Sequence, residues 1–200
     1  MNRKIGVVSS IVNLLAVIGF ALSMLLGSDF CSYITSMFIA FSFVPMISTF
    51  AAYSRKEAKA AGNTAMIFAS VYTVFILMVY FAQVTSVRLE PLSEQAARIL
   101  DYQKFGLFFN FDLLGYGIMA LSTFFAGFTI DAQTKTDRWL KGLLLLHGIF
   151  FFSSLILPML GLFSQEMQGA DWVGTAVLIF WCVYFAPIGV LSFLFFKCRG

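Results

Sequence analysis

Charge is what this sequence has least of. Only 12% of its 200 residues are Asp, Glu, Lys or Arg, about half the share of an ordinary soluble domain. A free-standing soluble domain is therefore excluded. Histidine occurs once, at His147, and cysteine three times, at Cys31, Cys182 and Cys198. One His and three scattered Cys do not form the ligand set of a metal site. Cys31 and Cys198 fall near opposite ends of apolar runs and Cys182 inside one, so they read as small fillers rather than a disulfide framework. No Ser or Cys has a base paired to it, and no two carboxylates sit together within the apolar runs. A glycine-rich phosphate loop is missing, and the connections are too short for a nucleotide domain. These absences predict no catalytic residue, no metal and no cofactor: the chain is not read as an enzyme. Nothing suggests nucleic-acid binding either.

What fills the chain instead is six apolar runs, Ile5–Gly27, Ser32–Tyr53, Asn63–Thr85, Phe105–Ile130, Trp139–Phe163 and Trp172–Lys197. At ~1.5 Å of rise per residue, each can cross a hydrocarbon core ~30 Å thick. The expected fold is an all-α membrane bundle of six transmembrane helices, one domain over 1–200. The first run is longer than the ~7–15 residues of a signal-peptide core, so it is expected to be a permanent span.

Cations set the orientation. Arg3, Lys4, Arg55, Lys56, Lys59, Lys135, Arg138, Lys141, Lys197 and Arg199 share one side if the spans alternate. The other side has only Arg88, Arg98 and Lys104, offset by Glu90, Glu94 and Asp101. The positive-inside rule places both termini in the cytoplasm of a multi-pass cell-membrane protein. Tyr33, Tyr53, Tyr102, Trp139 and Trp172 fall at the expected interfaces.

The inner loop Ser54–Gly62 is expected to extend the second helix, and Ser164–Asp171 to form an outer turn broken at Gly169. The long outer connection, Ser86–Lys104, carries Leu92, Ala96, Ile99 and Leu100 at helical spacing after Pro91. A short amphipathic helix over Pro91–Leu100 is expected at the outer surface, with Leu92, Ile99 and Leu100 facing the bundle or lipid. Pro45, Pro158 and Pro187 are expected to kink three spans.

Some fragments recur between the halves. Asn13-Leu-Leu-Ala with Ala21-Leu-Ser23 parallels Asp112-Leu-Leu-Gly with Ala120-Leu-Ser122. Pro45-Met46 matches Pro158-Met159, and Ile67-Phe68 with Val71-Tyr72 matches Ile179-Phe180 with Val183-Tyr184. Three spans per half would make a 3+3 inverted repeat. Chance matching among apolar helices explains the same fragments.

Asp112 is the sharpest signal. It lies about 10 Å inside the fourth span, where a charge costs ~2.5–3.5 kcal/mol on insertion scales and usually turns inward. Tyr116 shares its face one turn deeper. Asn110 is close in sequence but on another face. His147 enters from the opposite side and sits at a different depth from Asp112. Asp112, Tyr116, Asn110 and His147 are the candidate ligand-binding residues. Each also has a plain reading as a hydrogen-bonded packing residue.

The stretch Asp112-Leu-Leu-Gly-Tyr-Gly-Ile-Met-Ala-Leu-Ser-Thr-Phe-Phe-Ala-Gly127, then Arg138-Trp-Leu-Lys141 and His147-Gly148, resembles small six-helix bacterial membrane proteins without assigned function. His147 stands where that resemblance leads one to expect Asn. The likeness implies a bacterial inner-membrane setting and no activity.

Two functions fit. One is binding or transport of a small molecule or ion, an amphiphile or cation, in a polar pocket around Asp112. The other is a non-catalytic interaction or regulatory subunit, partnered by a second copy or another membrane protein. Both place the chain in the lipid bilayer.

Overall fold

The computed structural model describes residues 1–161, 163 and 171–199. The chain is all-helical, 87% helix, and six helices are long and apolar enough to cross a membrane, the pattern of a multi-pass membrane protein. In order, the helices are α1 (Asn2–Leu25), α2 (Asp29–Tyr53), α3 (Lys59–Ala82), a short α4 (Glu94–Leu100), α5 (Leu107–Thr129), α6 (Lys135–His147), α7 (Phe150–Met159) and α8 (Asp171–Cys198). The expected outer turn at 164–170, with Gly169, lies outside the described residues, as does the side chain of Trp172.

The bounds of five spans agree with the apolar runs to within a few residues. The fifth is different. It is broken into α6 and α7 at Gly148–Ile149, where the backbone ladder tightens: Gly148 N–H donates to Leu145 O, Ile149 to Leu146, Phe151 to Gly148 and Phe152 to Ile149, all three residues back. This is a 3₁₀ constriction inside a membrane span. A β-carbon on Gly148 would lie 2.8 Å from the Phe124 ring, so the constriction coincides with a close approach of α5.

Two loop expectations are corrected. The loop after α2 does not extend that helix. Ser54 and Arg55 are extended, Lys56–Ala58 make one 3₁₀ turn, and α3 begins early at Lys59. The short helix of the long connection starts at Glu94 rather than Pro91, because Ser93 caps it by accepting from Ala96 N–H. Its Ile99 is exposed, and Leu92 and Leu100 are half-buried. Pro45, Pro158 and Pro187 all lie inside continuous helices, α2, α7 and α8.

The spans pack as a closed ring in chain order: α1 on α2, α2 on α3, α3 on α5, α5 on α6 and α7, α6 on α8, and α8 back on α1. Lipid offers the apolar faces little incentive to associate, so side-chain hydrogen bonds and close backbone approach define the seams. Asn13 donates to Ile39 O (3.2 Å) and Ser42 Oγ (3.0 Å) across α1–α2. Thr73 Oγ1 reaches Ala40 O across α3–α2 (3.3 Å), and Ser122 Oγ reaches Ala65 O across α5–α3 (2.7 Å). Tyr184 Oη donates to Leu143 O across α8–α6 (2.6 Å). The closing α8–α1 seam relies on small residues. A β-carbon on Gly6 would meet the Phe196 ring at 2.6 Å, and one on Gly189 would meet Leu14 Cβ at 3.1 Å. Phe43, Met46, Ile47, Tyr72, Ile76, Met119 and Phe185 fill the ring's interior.

The end that carries both termini is tied by a polar latch. Arg55 pairs with Asp131, whose carbonyl accepts from Arg199 Nη2 at 2.9 Å. Tyr53 Oη donates to Arg199 O at 3.2 Å, and the Arg199 guanidinium lies 4.2 Å from the centre of the Phe195 ring. The latch joins the end of α2, the α5–α6 loop and the C-terminal end of α8.

Hydrogen bonds from Arg55, and then Gln133, hold the Asp131 carboxyl below its usual range. A depressed carboxylate adds stability above its unfolded pKa of ~3.9, and that stability is lost as pH falls through the lower folded value. Asp131→Asn should therefore melt below the wild type at pH 7, and the gap should close as pH drops under ~3.9. Thermal unfolding of the purified protein in detergent checks this; a gap that persists in acid would mean that the ion pair is not its source.

Candidate functional site

Asp112 is 2% exposed on the inward face of α5. Its Oδ2 accepts from Tyr102 Oη at 3.4 Å, and its Oδ1 is buried with no partner among the described residues. No ion pair among those residues involves Asp112. The carboxyl is surrounded by phenols. Tyr33 (α2), Tyr80 (α3) and Tyr102 (the turn after α4) form a triangle with ring centres 5.4, 6.0 and 6.1 Å apart. Burial, then the Asp112 charge, holds the Tyr102 phenol well above its usual range, so it remains a proton donor to the acid.

Two glutamines hold the segment between α3 and α5 over this cluster. Gln83 donates to Leu100 O at 2.7 Å and accepts from Tyr102 N–H at 3.0 Å. Gln103 reaches Asp29 Oδ2 at 3.4 Å and Tyr33 Oη at 3.5 Å. Gln83 opens a π-helical turn, Gln83–Val87, that ends α3. Such turns widen the backbone by one residue and recur at functional sites. Phe105 follows with φ +52°, a left-handed bend that starts α5 beneath the segment.

One turn deeper, Tyr116 packs edge-on against Tyr72 (5.7 Å) and Trp181 (5.3 Å). The buried hydroxyls of Tyr72 and Tyr116 also have no partner among the described residues. Unpaired buried polar atoms are uncommon and costly. Here Asp112 Oδ1 and these two hydroxyls sit on adjoining side chains of α5 and α3.

His147 belongs to a different, closed arrangement. Trp181 Nε1–H is only a donor, so His147 Nε2, 3.1 Å away, accepts. The ring proton of the neutral imidazole is then on Nδ1 and faces Thr123 Oγ1 at 2.7 Å. Thr123 in turn donates to Ala120 O at 2.9 Å. Both ring nitrogens are thus occupied, and the ring stacks on Tyr184 at 5.7 Å.

Of the candidate residues, Asp112 and Tyr116 share one buried polar spot. His147 is linked to it only through the Trp181 ring. Asn110 is exposed and lacks a side-chain hydrogen bond among the described residues. Trp181 went unrecognised in the sequence, although an indole N–H deep in an apolar span always needs an acceptor. Tyr102 was legible as an interfacial aromatic but not as the hydrogen-bond partner of Asp112, nor was Tyr33 as a neighbour of Tyr102. Among the described residues no three of His, Cys, Asp or Glu cluster as a metal site. Two surface grooves, of about 480 and 550 Å³, lie away from Asp112, one along α6 and one between α1 and α2. Compared with family models, curated proteins and solved structures, the chain matches none.

The His147 bridge should carry measurable stability. Trp181→Phe leaves Nε2 unpaired and should cost about 1 kcal/mol. Thr123→Val should cost a similar amount, and the two losses should not add, because both act through one imidazole. Reversible unfolding in mixed detergent gives the double-mutant cycle; fully additive losses would show that the bridge does not act as a unit.

Proposed function

We propose that this chain binds, and moves across a bacterial inner membrane, a small cation or cationic molecule held at Asp112. The observation that carries the reading is a buried carboxyl that has no cationic partner among the described residues, is ringed by tyrosines, and shares adjoining side chains with two further unpaired hydroxyls. A carboxylate and aromatic faces both attract positive charge. The free Oδ1 and the hydroxyls of Tyr72 and Tyr116 offer hydrogen bonds that a small polar guest would complete. Access is from the outer side, by release of the Gln83 and Gln103 contacts and movement of the segment over the site, with the π turn as its hinge.

In this reading both termini are cytoplasmic, as the cation distribution favours. In a background without native cysteines, a cysteine at position 168 should label from outside and one at 57 should not; the reverse pattern would overturn the orientation. The 3+3 repeat is part of the same proposal. Asn13 and Asp112, which correspond in it, are both buried and each has one unpaired oxygen. The α8–α1 seam would answer the α3–α5 seam, although any ring in chain order offers that correspondence.

The alternative, a non-catalytic interaction or regulatory subunit, is favoured by one observation: the two grooves lie on the outside of the bundle rather than at Asp112. A thermal-shift screen of the purified protein with small organic ammonium ions and alkali cations separates the two. Cation-dependent stabilisation should appear at neutral pH and vanish in Asp112→Asn, whose melting temperature without ligand stays near the wild type. Asp112→Leu should lose about 1–2 kcal/mol because Tyr102 loses its acceptor. A cation response that survives in Asp112→Asn, or no response to any cation, would favour the interaction subunit.

A further inference from the structure

We propose that the outward face of α6 and α7 is a binding site for one anionic phospholipid, its phosphate held by Lys135 and Arg138. This rests on the membrane setting alone and is independent of the reading of Asp112.

Lys135, Arg138, Trp139 and Gly142 line a groove of about 480 Å³. Their spacing of three and four residues puts them on one face of α6. Neither cation has an ion-pair partner among the described residues, and both are exposed. Asp137, the nearest acid in sequence, is turned away and buried in the capping box with Thr134. Two free cations at the membrane end of a span match a phosphodiester. Trp139 is exposed beside them, where an indole suits the headgroup boundary.

Gly142 is the second observation. A β-carbon there would find no described atom within 4 Å. No neighbour requires the missing side chain, and glycine weakens an exposed helix interior. What it leaves is open space one turn from Trp139, where an acyl chain would lie against the backbone.

The track continues in the apolar direction. Leu146, Ile149 and Phe152 are exposed on the same side. Because the 3₁₀ constriction brings residues three apart into line, it aligns these side chains in one row. Half of a ~30 Å core is about ten residues of helix, so one leaflet's chain would run from Gly142 to about Phe152. Cations, indole, open space and apolar row thus follow the order of a lipid molecule from headgroup to tail.

The test uses the full-length protein in detergent, titrated with phosphatidylglycerol or phosphatidylcholine and read by native mass spectrometry. The wild type should retain phosphatidylglycerol at least tenfold more readily than phosphatidylcholine. Lys135→Gln/Arg138→Gln should lose that preference, whereas Arg3→Gln/Lys56→Gln, which removes as many exposed charges elsewhere, should keep it. Gly142→Phe changes no charge and meets open space, so it should melt like the wild type yet retain lipid at least fivefold less. Equal retention of the two lipids by the wild type, equal loss in the two double variants, or unchanged binding in Gly142→Phe would overturn the site. Soluble glycerol phosphate binding as well as the lipid would also overturn it, since the groove would then be only an anion site.

Discussion

In lipid a polar group has no water to fall back on, and this requirement shapes most seams of the bundle. Most buried hydroxyls return to their own helix: Ser10 donates to Gly6 O at 2.7 Å and Ser36 to Ser32 O at 2.9 Å. Such bonds satisfy the side chain and free the surface for packing. The polar groups that reach across instead join helices, as Asn13, Thr73, Ser122, Tyr184 and the Thr123–His147–Trp181 bridge do. Each such bond averages well under ~1 kcal/mol in a membrane. Distributed around the ring, they fix which helix faces which neighbour, a choice that apolar contact with lipid-like side chains leaves open.

Asp112 and His147 show two outcomes of the same constraint. His147 has a donor on one nitrogen and an acceptor on the other, so its environment is complete and rigid. Among the described residues Asp112 has one long hydrogen bond and a free oxygen, next to two unpaired phenols. An unfinished polar cluster in a packed bundle costs stability. Such a cost is usual where a site must exchange partners, which is why Asp112, rather than His147, anchors the functional proposal. The helix irregularities sit beside these groups. The π turn begins at Gln83, which holds Tyr102, and the 3₁₀ constriction begins at His147 itself.

The six spans, their bounds and the lone intramembrane acid were legible from composition and periodicity, because hydrocarbon thickness imposes a length on every crossing segment. The same reading placed Tyr116 on the face of Asp112, since residues four apart on a helix are neighbours. It did not foresee the break at Gly148, because a single glycine inside a long apolar run is tolerated in a helix, and the close approach of Phe124 that accompanies the break comes from another helix. Nor could it find Trp181, 34 residues from His147 along the chain.

The sequence by itself thus determined the material of this protein: an all-helical chain for lipid, crossing it six times, with its cations weighted to one side and one acid inside. Those properties are local or additive, and each follows from residue types and the length of a run. Only the tertiary structure decided which polar groups met. Among the described residues it gave His147 two partners and Asp112 one, Tyr102, which it brought together with Tyr33 and Tyr80 from distant segments. Hydrogen-bond satisfaction depends on ångström distances between helices that are far apart in sequence, and no pattern within a single helix encodes them.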